Sequence, residues 1–353
     1  MSVTDTDLRV ELRTSPHLKQ RISVDQIMRN VIYALLPVCA YAVYAFGISV
    51  LALLMTTTLT CVLCESLFCR LAGKPDTTGD WSITITGLLL GLSLPPGFPL
   101  WMAVVAGVVA VGLGKALFGG LGSNVMNPAL VGRAFVQAAF PVATTTWTPA
   151  FLQGRFDEFI PTTLTVPFMQ PPEIGDWLAQ TQLDGFTGAT PLALQKFEQI
   201  STPVLDLLTG VTAGSAGETS AALILAGGLY LAARRMLDWR IPTGVLLGAA
   251  LASLPFWLLD PQAYPSPVFV LFSGGLMLGA VFMASDMVAS PVTPLGVWLY
   301  SLFIGVLTVI IRLFGGLTEG VMYAILLGNA LSPLIATITQ PRVFGAPRRR
   351  VKP

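Results

Sequence analysis

The sequence predicts an all-α polytopic membrane protein of about ten transmembrane helices in two inverted five-helix repeats. Three observations predict it. Of 353 residues, 54% are hydrophobic and only 11% charged, against about a quarter charged in an ordinary globular domain. The apolar residues fall into runs long enough to cross a bilayer. The basic residues cluster in alternate connections between those runs, as cytoplasmic loops do.

The runs lie at 29–46, 48–69, 82–95, 99–118, 126–143, 219–235, 241–259, 267–285, 294–312 and 319–338. Ahead of them, residues 1–28 form a polar arm with Arg9, Arg13, Lys19 and Arg21. No short apolar core precedes a small-residue cleavage site there, so no cleaved leader is expected. Arg70 and Lys74 follow the second run, and Arg234, Arg235 and Arg240 the sixth. Residues 339–353 form a basic tail ending in Arg348, Arg349, Arg350 and Lys352. With ten spans, all these charges fall on one side. Both termini are then cytoplasmic, and 144–218 is an extracytoplasmic loop, with Arg155 and Lys196 against eight acidic residues. The two transmembrane halves are 29–143 and 219–338.

Pro95-Pro96 and Asn127-Pro128 break runs where freed backbone lines protein or a cavity. LFGGLGSNVMNPAL (117–130) resembles LFGGLTEG and LLGNALSPL (313–334). Five spans separate the copies, which inverts one against the other, with sites expected between the halves. Gly87/Gly91, Gly244/Gly248 and Gly275/Gly279 serve close helix packing.

Net charge is +1 and no nucleic-acid motif is present. The glycines around Lys115 lack the spacing of a nucleotide loop. Cys61, Cys64 and Cys69 invite a metal reading, but they do not share one tight helical face. Cysteine is also a small buried hydrophobe, so no metal site is expected. Ionisable residues in or beside spans are functional candidates: Glu65, Lys115, Arg133, Asp286, Arg312 and Glu319.

DGFTGATP (184–191) interrupts the acidic loop. Thr190 followed by Pro191 reads as an N-cap with proline at the first helical position. That does not account for Asp184, Thr187, Gly188 and Ala189 ahead of them. The pattern D-x-x-[ST]-G-A-[ST] resembles the acceptor motif of the flavin transferase that moves FMN from FAD onto a hydroxyl. A weak hydroxyl nucleophile needs activation and small neighbours that let the transferase approach.

SPHLKQ (15–20), IMRNVIYALLP (27–37), GSNVMNPALVGRAF (122–135), DGFTGATPLA (184–193) and FMASDMVASPVTPLG (282–296) extend the resemblance along essentially the whole chain. Together they resemble the family of the D subunit of the Rnf (Rsx) ion-translocating electron-transport complex. That family also includes the B subunit of the sodium-pumping NADH:quinone reductase. The chain lacks the longer N-terminal extension of the latter, and TGAT stands where SGAT is also common.

The resemblance implies a urea-channel-like fold of ten helices and an electron-relay role in a bacterial inner-membrane complex. That complex couples electron flow between NADH and ferredoxin to Na+ or H+ movement. It implies FMN in phosphodiester linkage to Thr190, with 144–218 periplasmic, and a non-covalent riboflavin near Asn124 and Asn127. The spacing of those asparagines places both amides on one helical face, where amides serve donor and acceptor edges of an isoalloxazine. Capping beside Pro128 is the alternative. Arg133 is a further candidate to balance flavin or phosphate charge. Expected partners are the A, B, C, E and G components of the complex, the flavin transferase and membrane lipid. No activity is expected of the chain alone. A small-solute channel of the same fold is the rival reading, as is the quinone-reductase type of component.

Overall fold

The computed structural model describes residues 23–75, 77–169, 171–172, 177, 189–218, 220–316 and 318–341. Among them the regular structure is entirely helical. Six helices are long and apolar enough to cross a membrane: Val24–Phe46, Ile48–Leu71, Leu100–Phe118, Arg240–Leu259, Pro294–Phe314 and Val321–Ile338. Ser82–Ser93 and Ala221–Ala233 are shorter apolar helices.

In chain order the helices are α1 (Val24–Phe46), α2 (Ile48–Leu71), α3 (Ser82–Ser93), α4 (Leu100–Gly114), α5 (Pro128–Ala139) and α6 (Pro141–Thr145). Further along come α7 (Pro191–Ala193), which continues as a π-helical turn Leu194–Glu198, and α8 (Val204–Thr209). Then follow α9 (Ala221–Ala233), α10 (Arg240–Leu259), α11 (Pro267–Phe272) and α12 (Leu276–Leu278), which runs on as π-helix Gly279–Met283. The last two are α13 (Pro294–Phe314) and α14 (Val321–Ile338).

Local chemistry sets many of these starts. The side chains of Asn127, Thr190, Ser266 and Thr293 each accept a backbone N–H of the first turn, and proline follows each. Proline has no N–H to leave unpaired there. Two of the runs differ from their sequence reading. The run 126–143 is divided at Phe140, which leaves the helical region so that Pro141 can begin α6. The run 267–285 is broken at Ser273–Gly275, where Gly274 takes φ +63°. At ~1.5 Å per residue, such pieces are shorter than a ~30 Å hydrocarbon core.

The packing follows one order twice. α2 lies against α3 and α4, and α4 against α5; α10 lies against α11 and α13, and α13 against α14. α1 meets α9, and α5 meets α14. Glycine permits the tightest crossing. A Cβ on Gly248 would stand 2.6 Å from the Leu302 carbonyl, and one on Gly305 would strike the Val245 carbonyl. The core runs through both sets, with Leu35, Leu53, Leu90, Ile224, Leu276 and Tyr300 all but fully buried.

Each broken helix needs partners for its freed carbonyls. At the α3–α4 break, backbone N–H groups supply two of them: Ala216 donates to Leu94 and Gly217 to Leu92. The Thr162 hydroxyl donates to Gly97 at the same break. At the α11–α12 break an arginine takes this part. Arg312 Nη1 donates to Val270 O at 2.8 Å and Nη2 to Ser273 O at 3.0 Å.

Candidate functional site

A cavity with about 110 Å³ of room for water, about 820 Å³ counted with its open mouth, lies between α1, α3, α9 and the π-helix Gly279–Met283. Most of its wall is apolar, including Ile27, Val31, Ile85, Leu231, Val281 and Phe282. Its polar groups are few: Asn124, Asn127, Asp286, Lys115, Ser82, Thr86 and Ser285. An apolar cavity with a few converging polar groups is the usual form of a cofactor site.

Asn124 and Asn127 are brought together here, but not on one helical face. Both precede α5, whose first residue is Pro128. A proline at N1 fixes where the helix begins, so the spacing of three spans a connecting turn. Asn127 Oδ1 accepts from Ala129 N at 3.0 Å and caps α5. Its Nδ2 donates to Met283 O at 3.2 Å, across to the π-helical stretch. Asn124 Nδ2 donates to Met126 O at 3.2 Å and Asp286 Oδ2 at 3.4 Å. Asp286 is held in turn by the Val288 N–H, 3.0 Å from Oδ1. The capping role of Asn127 is therefore real and leaves one of its amide protons over. Both Asn124 bonds run through its nitrogen and neither through its amide oxygen.

Lys115 forms the floor and reaches beyond it. Its Nζ lies 2.7 Å from Glu65 Oε1 and donates to Ser82 Oγ at 3.0 Å. Lys115 and Glu65 are 3% and 5% exposed, and Thr77 donates to the same carboxylate oxygen. A buried pair of this kind is held by its hydrogen bonds as much as by its charges. Lys115 and Glu65 also line a second cavity, open toward Lys74 and Thr77.

Thr190 lies elsewhere. Its side chain is 2% exposed, and Oγ1 accepts from Ala193 N at 3.2 Å as the cap of α7. The cap bond uses an oxygen lone pair and leaves the hydroxyl proton, the atom that esterification replaces. Ala189 precedes it, half-buried. Asp184, Thr187 and Gly188 lie outside the described residues. Leu192 packs with Leu207 and Phe269. Lys196 donates to the carbonyls of Arg312, at 2.8 Å, and Gly315, at 2.5 Å, at the end of α13. Desolvation pushes the Lys196 ammonium below its usual pKa. Beside this helical piece, an open cavity of about 1210 Å³ is lined by Gln195, Trp257, Tyr264 and Phe269 among others.

Arg133 is not at the asparagine cavity. It is buried on α5 and faces a separate, smaller cavity with Glu218 and Glu319. Sequence reading misses Glu218, which stands in the small-residue stretch TAGSAGETS and reads there as loop. It also misses Gln195, buried with Oε1 lacking a partner. Neither position carries a local signal, since burial comes from distant segments.

The NQR2, RnfD, RnfE family model matches residues 11–345. The chain is similar to the D subunit of the Na(+)-translocating ferredoxin:NAD(+) oxidoreductase complex of Acetobacterium woodii, with 42% identity over 96% of each chain. It is 39% identical to the D subunit of the ion-translocating oxidoreductase complex of Stutzerimonas stutzeri, over 92% of this chain and 93% of that one. It is 36% identical to the D subunit of the proton-translocating ferredoxin:NAD(+) oxidoreductase complex of Clostridium ljungdahlii, over 96% of each.

Proposed function

The chain belongs to the NQR2, RnfD, RnfE family, and from that premise we propose that it is the flavin-bearing membrane component of an ion-translocating oxidoreductase complex. Its coarse role, as a multi-pass membrane component of such a complex, rests on near-full-length relatives of that name. The finer reading is that FMN is ester-linked to Thr190 and riboflavin is held at Asn124 and Asn127. The flavins, when bound, supply the redox chemistry.

The chain's own residues supply place and environment. Thr190 offers the hydroxyl oxygen, with Asp184, Thr187, Gly188 and Ala189 as the motif that the transferase reads. Lys196 and Leu192 seat the segment against the ends of α13 and α11. Asn124 and Asn127 present amide edges to a ring in a largely apolar cavity, and Asp286 orients Asn124. Arg133 faces another cavity, so a contact with this ring is not part of the proposal. The burial of Thr190 carries a consequence for assembly. The transferase must reach this hydroxyl before the segment docks, or during a local opening.

The proposed topology has ten membrane segments in two inverted halves, 29–143 and 219–338, in a bacterial inner membrane. The arm 1–28 and tail 339–353 are cytoplasmic and 144–218 is periplasmic. The repeated packing order supports it, as does Phe-Gly-Gly at 118–120, just after α4, and at 314–316, where α13 ends. The A, B, C, E and G components of the complex are the proposed partners, with the transferase and lipid. Relatives named for sodium and for protons are both similar to this chain, so the ion is left open.

The observation that carries the reading is an apolar cavity whose polar groups include both predicted asparagines. The test is flavin partition on denaturation, in chain made with an active transferase. One flavin should stay with the polypeptide and one should be released. Release of all flavin, or of none, contradicts the two-site proposal. A small-solute channel would hold neither.

A further inference from the structure

A cavity with about 40 Å³ of room for water, about 480 Å³ counted with its mouth, lies between the attachment segment and the asparagine cavity. Arg133 of α5, Glu218 ahead of α9 and Glu319 ahead of α14 line it, with Ser93, Gln137 and Ser215. Its position relative to the two proposed flavin seats follows from contacts. Met283 lines it and accepts from Asn127 on the other side. Arg312 abuts Gly274, which packs on Leu192, and Glu218 Oε1 abuts the adjoining Gly275.

The cluster contains two carboxyl and two guanidinium groups, yet it is loosely paired. Arg133 Nη2 stands 3.6 Å from Glu319 Oε2. The Arg133 Nη1 and Glu319 Oε1 atoms are buried without partners; Arg133 as a whole is 3% exposed and the Glu319 side chain 23%. Arg312 commits Nη1 and Nη2 to the carbonyls of Val270 and Ser273, and its Nε is also without a partner. Glu218 is met by Ser215, whose backbone N–H lies 3.3 Å from Oε2. Arg133–Glu319 is the one ion pair these described residues make.

The room inside it is of the order that water fills. A water needs roughly 10–15 Å³ of such space, so a few waters fit. An orphaned donor beside an orphaned acceptor is what water satisfies. Two carboxylates in one largely buried cavity do not both ionise cheaply.

We propose that this cavity is a proton-holding site, in which Glu218 and Glu319 share one exchangeable proton through bound water while Arg133 holds the remaining negative charge. Loading transfers H+ from hydronium to a carboxylate oxygen and leaves water; unloading reverses it. Nothing is oxidised or reduced. The formal charge of the two arginines and two glutamates moves from 0 to +1. That swing compensates an added electron in a low-dielectric interior, where an unbalanced charge is costly. Only this last link rests on the flavin reading; the site itself does not.

The test is pH-step infrared difference spectroscopy of the full-length chain in lipid vesicles. The wild type should give a protonated-carboxyl C=O band that moves to lower frequency in D2O. Glu218→Gln should remove the component that this residue contributes. Glu319→Gln should move its midpoint to lower pH, since a negative neighbour is gone. A chain with Thr190→Val should give the same band as wild type, whether or not that chain carries flavin. Full band amplitude with an unmoved midpoint in both glutamine variants would assign the proton to other carboxyls and overturn the proposal. Absence of any such band in the wild type would overturn it as well.

Discussion

Thr190 and Asn127 are both helix caps followed by proline, yet they are built into the molecule differently. Thr190 caps a short piece held to the bundle by the Leu192 contact and the reach of Lys196 to the end of α13. Asn127 caps α5 and also ties it to Met283, so its amide joins the first set of helices to the second. The difference teaches that one proposed flavin seat can be altered without disturbing the bundle, whereas the other cannot. Changes at Thr190 should alter loading alone. Changes around Asn127 should alter loading and stability together.

Substitution Thr190→Val breaks the comparison most sharply. It should abolish covalent flavin fluorescence on a denaturing gel while the non-covalent flavin and membrane insertion persist. Thr190→Ser should keep both the ester and the cap. Retained fluorescence in the valine variant would place the ester elsewhere.

At the other seat, Lys115→Met strands Glu65 in the interior. Removing one partner of a buried pair costs about 3–5 kcal/mol, and the chain's thermal midpoint in detergent should fall accordingly. Non-covalent flavin should decline with it and covalent flavin should not. A variant as stable as wild type would show that the pair is not buried as described.

A smaller effect is expected of Asn127→Leu. Loss of the α5 cap costs about 1 kcal/mol, and the bridge to Met283 goes with it. Non-covalent flavin should drop further than this stability change explains, as measured by flavin released on denaturation. If stability falls and flavin occupancy does not, Asn127 is only a cap.

The smallest effect belongs to Lys196→Met. It frees the segment from the α13 carbonyls, so limited proteolysis near 190–198 should quicken while the thermal midpoint of the bundle holds. Flavin attachment should continue, and should proceed faster once Thr190 is easier to reach. An unchanged cleavage rate would mean that Leu192 alone seats the segment.

The caps are legible in the sequence because they depend on neighbours in the chain. Asn127-Pro128, Thr190-Pro191 and Thr293-Pro294 carry their own start signals. The spacing of Asn124 and Asn127 points wrongly to one helical face, because the proline that marks the helix start also excludes them from it. The break at Ser273–Gly275 has Gly274-Gly275 as its only trace, which composition this rich in glycine conceals. What Lys196 reaches, what buries Thr190 and what gathers around Glu218 are not legible. Each depends on segments far away in the chain: Lys196 meets α13, and Ala216 and Gly217 meet the end of α3. Pairing over such separations leaves no pattern in a single sequence.

The central claim is a covalent flavin on Thr190, and the most direct test is mass spectrometry of the peptide that carries it. The chain should be produced with an active flavin transferase and digested under conditions that keep the ester. The account predicts an FMN-sized addition on Thr190 of the DGFTGATP peptide. An unmodified peptide, while the same transferase loads a control acceptor, would contradict it and leave Thr190 as a helix cap.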